Sequence, residues 1–134
     1  MRIKDIMNLE PFILYEEDSI SNASEFMKKE KIRNFPVVDK NSTLIGLITL
    51  REIITALSND KKKTTVKDVM IKEVTAVEPD TPLKGAIEIM LINKFGCLPV
   101  VNKERKLIGI VTETDLLKTL YDVSTLPVDF YKAK

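Results

Sequence analysis

Leu44-Ile45-Gly46-Leu47-Ile48-Thr49 returns 63 residues later as Leu107-Ile108-Gly109-Ile110-Val111-Thr112. Working outward, the same offset lays Phe35-Pro36-Val37-Val38-Asp39 on Leu98-Pro99-Val100-Val101-Asn102, and Ile3-Lys4-Asp5-Ile6-Met7 on Val66-Lys67-Asp68-Val69-Met70. From Ile3 to Ser58 no gap is needed, and 17 of 56 aligned positions are identical. So many matches in one ungapped register mark an internal duplication.

Each copy alternates short strands with helices, an α+β pattern. Phe12-Ile13-Leu14 and Val74-Thr75-Ala76-Val77 read as short extended lead-ins. Ser19 and Thr81 suit helix caps, with Pro82 at the first helical position, where a missing donor costs nothing. Ile20, Ala23, Phe26 and Met27 recur at helical spacing, as do Leu83, Ala86, Ile87 and Met90. Each Pro-Val-Val strand then turns, through Asp39 to Thr43 or Asn102 to Lys106, into the strand that ends at Thr49 or Thr112, as a hairpin does. A closing helix carries Ile53, Ile54 and Leu57, or Leu116, Leu117 and Leu120.

One copy is too small to cover its own apolar surface, so two are expected to pack face to face as one unit. The expected division is residues 1–58 for the first repeat, 59–65 for a polar connector, 66–121 for the second repeat and 122–134 for a C-terminal extension. Ile87, Ile89, Met90, Leu91 and Ile92 exceed one helical face, and Leu116, Leu117, Leu120 and Tyr121 form another stripe. These residues either fill internal core or build a homodimer interface.

Composition narrows the chemistry. Among 134 residues, 21 Lys and Arg face 20 Asp and Glu, a formal charge of +1. That balance gives no global grip on nucleic acid. Lys61-Lys62-Lys63 and the cluster Lys28, Lys29, Lys31 and Arg33 supply local charge, best read as solvated surface because aromatic interleaving is sparse. Histidine is absent and Cys97 is the single cysteine, which removes a disulfide framework, a Cys-based zinc cluster and the usual imidazole base. No apolar run reaches membrane-spanning length and no signal peptide opens the chain, so a cytoplasmic protein is expected.

In order and spacing, the motifs resemble the cystathionine-β-synthase-type (CBS) domain family. The resemblance rests on the hydrophobic-x-Asp-hydrophobic-Met lead, the Pro-Val-Val strand, and the turns Gly46-Leu47-Ile48-Thr49-Leu50-Arg51-Glu52 and Gly109-Ile110-Val111-Thr112-Glu113-Thr114-Asp115. It implies a pseudo-twofold CBS pair that forms a disc-shaped homodimer. It further implies regulatory binding of an adenosine compound in clefts between the repeats, AMP, ADP or ATP ahead of S-adenosylmethionine, and a regulated target that is a separate protein. No metal or other cofactor is implied.

The resemblance sets the acid of one repeat against the pre-Pro-Val segment of the other. The main cleft then takes Ile13, Arg33, Asn34, Phe35 and Pro36 with Thr112 and Asp115. An ionised Asp115 can accept both hydroxyls of a ribose, a helix start favours phosphate, Arg33 can reach a phosphate, and Phe35 or an aliphatic neighbour can pack on adenine. Thr112 and Asp115 equally suit a capping box, Phe35 equally suits the core, and Arg33 equally suits a solvated surface. The weaker second site takes Thr75, Ala76, Gly96, Cys97 and Leu98 with Thr49 and Glu52, where capping is the better reading of the longer Glu52 and burial the better reading of Cys97. Neither a glycine-rich phosphate loop nor a catalytic triad occurs, so an enzyme is not expected. The main rival to a nucleotide sensor is a ligand-independent interaction module.

Overall fold

The two hairpins carry the duplication into three dimensions. In the computed structural model, which describes residues 1–59 and 64–123, β1 (Asn34–Val38) pairs antiparallel with β2 (Leu44–Thr49), and β3 (Cys97–Val101) with β4 (Leu107–Thr112). Both connections are the expected ones and close by the same chemistry. Asp39 Oδ1 accepts the amides of Asn41 at 2.8 Å and Thr43 at 3.0 Å. Asn102 Oδ1 accepts those of Glu104 at 3.0 Å and Lys106 at 2.9 Å. The Thr43 and Asn41 amides hold the Asp39 carboxyl below its ordinary range. Ser42 and Arg105 take left-handed φ values of 65° and 63°, and each hairpin has a bulge at its Val-Val step.

Helices α1 (Ile20–Glu30) and α2 (Leu50–Ser58) cover the first hairpin; α4 (Leu83–Asn93) and α5 (Glu113–Val123) cover the second. Ser19 caps α1 by accepting the Asn22 amide at 3.0 Å. At the equivalent place α4 departs from expectation: its first residue is Leu83, Pro82 stands at the cap, and Thr81 serves elsewhere. Thr81 Oγ1 accepts the Glu78 amide at 3.2 Å, the service that Asp18 gives the Tyr15 amide at 2.7 Å. Thr81 therefore belongs to the turn before the helix. The extended lead-ins join their sheets by single parallel bridges, Leu14 to Val37 and Val77 to Val100.

The compact halves are cut differently from the sequence copies. Residues at the N-terminus lie on the second hairpin: the Ile3 amide donates to Thr81 O at 3.0 Å, Asn8 bridges Ile110, and Lys4 pairs with Asp80 at 3.0 Å. In return the short helix α3 (Val66–Val69) lies on the first half, where the Val66 amide donates to Asp18 O at 2.8 Å and Ile71 bridges Leu47. Val66 is fully buried in the core of Ile20, Phe35 and Ile48, while Ile3 is fully buried with Leu98, Val100 and Val111. Each copy therefore lends its lead segment to the other half.

The halves also meet across a seam. Leu44, Val74 and Val101 form a small buried cluster there, and the hairpin loops join through Leu44 N to Arg105 O and Leu107 N to Ser42 O, at 3.0 and 2.9 Å. Of the expected closing-helix stripes, Ile53 and Leu116 pack inward, whereas Ile54, Leu117 and Leu120 face out. The Lys61-Lys62-Lys63 run and the extension from Ser124 onward lie outside the described residues.

The lead segments cross the sheets at Gly46 and Gly109. A Cβ on Gly109 would stand 2.8 Å from Asn8 O, a backbone atom fixed by the paired hydrogen bonds between Asn8 and Ile110. A Cβ on Gly46 would first meet Met70 Sδ, in a flexible side chain that can swing aside, and its nearest backbone neighbour, Ile71 O, would stand farther off at 3.2 Å. Gly109→Ala is expected to destabilise the fold by about 1–3 kcal/mol, and Gly46→Ala by less. Urea denaturation midpoints check the order, which equal losses would contradict.

Candidate functional site

Both closing helices start where a strand ends in Thr and an acid follows three residues on. At α2 the Thr49 amide and hydroxyl donate to Glu52 Oε1 at 2.7 and 2.5 Å. At α5 the Thr112 amide and hydroxyl donate to Asp115 Oδ2 at 2.8 and 3.1 Å, and the Asp115 amide reaches Thr112 Oγ1 at 3.4 Å. Both acids therefore cap their helices, as the residue types allow. Each does so with one oxygen. Glu52 Oε2 and Asp115 Oδ1 have no hydrogen-bond partner among the described residues, and both side chains are half-buried.

The pre-strand segments lie beside these caps. Asn34 is the strand partner of Thr49 and Cys97 that of Thr112. Arg33 O accepts the first amide of α2, from Leu50 at 2.9 Å, and Gly96 O accepts that of α5, from Glu113 at 3.1 Å. The two segments also approach each other across the seam: a Cβ on Gly96 would lie 3.8 Å from Asn34 Nδ2 and 3.9 Å from Asn34 Oδ1, while within its own repeat it would stand 3.3 Å from Glu113 Oε1. Residues 33–34, 49–52, 96–97 and 112–115 thus gather at the end of the seam opposite the hairpin loops. Within each copy the direct pairing is with its own threonine. Across the copies the contact is Asn34 with Gly96.

Burial sorts the expected site residues. Phe35 is 0% exposed, its ring stacked on Phe26 at 5.1 Å, so it cannot offer a face to an adenine. Alternation along β1 turns this side chain into the first core opposite Ile48. Pro36, Leu98 and Cys97 are buried as well. Ala76 packs against the seam cluster, leaving Thr75 exposed beside it. Ile13 is half-buried next to the Leu14–Pro36 hydrogen bond, and Arg33, Asn34, Thr49 and Thr112 keep exposed surface.

Sequence reasoning passed over part of the surroundings of Glu52. A cavity of about 280 Å³ is lined by Arg51, Glu52, Thr55, Ala56, Asn59 and Val69. The helical spacing of positions 52, 55, 56 and 59 could have marked one wall. Val69 could not have been found that way, because α3 reaches the first half only through the exchange of lead segments. Among the described residues no group of three or more His, Cys, Asp or Glu is placed to hold a metal ion, and no helix is long and apolar enough to cross a membrane.

The family model for the CBS domain matches residues 3–59 and 66–122. The chain is 38% identical over 116 residues to the inosine-5'-monophosphate dehydrogenase of Methanocaldococcus jannaschii, a match that takes in 87% of this chain and 22% of that enzyme. The fold superposes on the CBS domain pair of protein MJ0100, solved in complex with 5'-methylthioadenosine and S-adenosyl-L-methionine, with a TM-score of 0.85 and 29% identity, covering 92% of this chain and 98% of that one. CBSX2 of Arabidopsis thaliana, solved in complex with AMP, gives a TM-score of 0.83 at 27% identity, with 91% and 97% of the two chains covered.

Burial pushes the Cys97 thiol up to about 12, which leaves almost no thiolate at neutral pH. Native protein at pH 8 is therefore expected to resist a thiol-alkylating reagent for hours and to react within minutes in denaturant. Prompt modification of the native chain, followed by mass spectrometry, would contradict this placement.

Proposed function

The chain belongs to the CBS domain family, a family of regulatory, non-catalytic modules, and from that premise we propose that it senses an adenosine-containing ligand in the clefts between its repeats. AMP, ADP and ATP come ahead of S-adenosylmethionine. The ligand signals, in the cytoplasm, to a separate protein that the sensor regulates. Two copies pair as a disc-shaped homodimer, as the family resemblance implies.

One observation carries the ligand reading: each capping acid commits a single oxygen to its helix, and its other oxygen has no hydrogen-bond partner among the described residues. A free carboxylate oxygen beside a helix start suits a ribose hydroxyl, and the amides of that start favour a phosphate. Asp115, with Thr112, is assigned to the ribose of the main cleft, and Arg33 to its phosphate. Asn34 and the backbone of Phe35 and Pro36 read the base edge, and Ile13 packs on the ring. Glu52, with Thr49, holds the counterpart site with Thr75 and the backbone of Gly96 to Leu98, and Arg51 restores there the cation that Gly96 lacks. The solved relatives support the ligand class, since methylthioadenosine, S-adenosylmethionine and AMP share an adenosine.

Calorimetry of the folded protein with AMP, ADP, ATP and S-adenosylmethionine tests the proposal. Saturable binding of one or two ligands per chain is expected. Asp115→Asn keeps a polar group at the cap but removes the charged acceptor, so AMP should bind roughly thirty- to a hundredfold more weakly. Glu52→Gln should lose less. Unchanged affinity in folded Asp115→Asn contradicts the ribose role, and no heat across the four ligands favours a ligand-independent interaction module.

A further inference from the structure

The repeat offset compares the two clefts residue by residue. Arg33 becomes Gly96, Leu50 becomes Glu113, Arg51 becomes Thr114 and Glu52 becomes Asp115. In the proposed assignment each cleft has one ribose acid and one arginine: Asp115 with Arg33 in the main cleft, Glu52 with Arg51 in the second. Lys31 and Lys94, exposed caps at the ends of α1 and α4, hold equivalent positions and do not separate the clefts. Glu113 does. Its Oε1 would stand 3.3 Å from a Cβ on Gly96, so the carboxylate lies against a wall of the second cleft. Among the described residues no cation pairs with it, and its side chain makes no hydrogen bond. Leu50, whose amide donates to Arg33 O as that of Glu113 does to Gly96 O, brings no charge to the matching place. An acid suits the positive end of α5, but Leu50 in the same position of α2 shows that the fold does not require one.

We infer that Glu113 is a specificity-determining residue, which limits the second cleft to an adenosine ligand with one phosphate and leaves the main cleft open to a longer phosphate chain. The inference rests on the ligand reading of the clefts and adds phosphate number to it. In the second cleft Arg51 matches one phosphate, while Glu52 serves the Thr49 amide and hydroxyl with one oxygen and a ribose with the other. Each further phosphate brings more negative charge toward the unpaired Glu113 carboxylate, and like charges in a partly desolvated cleft repel. Glycine at position 96 sharpens the effect, because it lets the carboxylate approach and supplies no cation against it. Asn34 of the main cleft comes within 4 Å of the same point, but its amide is neutral, and the adjacent Arg33 supplies a cation there. The two clefts therefore differ in the charge they tolerate although their ribose acids are alike.

Calorimetric titration of the folded chain with AMP, and with ATP in EDTA so that no metal masks its charge, reads the difference as a number of sites. The parent protein is expected to take two AMP per chain but one ATP, the second cleft binding ATP at least about tenfold more weakly than AMP. Asp115→Asn, which strikes the main cleft, should remove most of the ATP binding. Glu113→Gln keeps size and polarity but removes the charge, and should admit a second ATP. Glu113→Leu, which copies Leu50, should do the same, and thermal melts check that both variants fold. Two ATP per parent chain overturn the limit, and a single AMP per chain overturns the contrast between clefts. Folded Glu113→Gln and Glu113→Leu chains that still take one ATP overturn the role of Glu113. Those three results leave the ligand reading standing, whereas a parent that binds neither nucleotide sinks that reading and this inference with it.

Discussion

The fold depends on a backbone crossing. The lead segment of each copy passes over the second hairpin strand of the other half, and it lies close only because Gly46 and Gly109 carry no side chain. At Gly109 the neighbour is Asn8 O, fixed by hydrogen bonds in both directions with Ile110. That approach lets Ile3 and Val66 become fully buried residues of cores that belong to the opposite copy. Neither half is then complete without the other. The glycine of the Gly-hydrophobic-hydrophobic-Thr motif and the methionine of the lead motif are therefore two sides of one contact, made between copies rather than within them.

The same crossing shapes the candidate site. By seating the lead segments on β2 and β4, it sets the two hairpins side by side. The loops join at one end, and the pre-strand segments and capping acids gather at the other. Helix capping and ligand reading are often weighed as rivals at such an acid. Here the geometry divides the labour by atom: Asp115 Oδ2 serves Thr112, and Oδ1 is left without a partner among the described residues. A cap of this kind holds the carboxylate in one orientation, which lowers the entropy lost when a ligand takes the second oxygen.

Much of this was legible in the residues because it is local. Hairpin limits follow from Pro-Val-Val, an Asx turn and an aliphatic run, and the capping pairs follow from a Thr-x-x-acid spacing. What could not be read was long-range. The self-comparison that reveals the duplication aligns Ile3 with Val66, yet it cannot say which half each one enters. Phe35 shows the same limit from another side. Its position before Pro36 suits a ligand cleft, but the alternation of β1 directs its ring to Phe26 and the core, so only its backbone can serve a cleft. Thr81 caps no helix because Pro82 takes that place, a shift of one residue that spacing alone does not resolve.

The central claim is that a ligand sits across the seam and touches both copies. Assigned amide NMR spectra recorded through a titration with AMP test it most directly. The account predicts saturable shifts at Arg33, Asn34, Gly96, Thr112 and Asp115 together, residues contributed by both repeats, with little change along Leu91, Ile92, Leu117 and Leu120. Shifts confined to one repeat, or concentrated on the outer faces of α4 and α5, would contradict it.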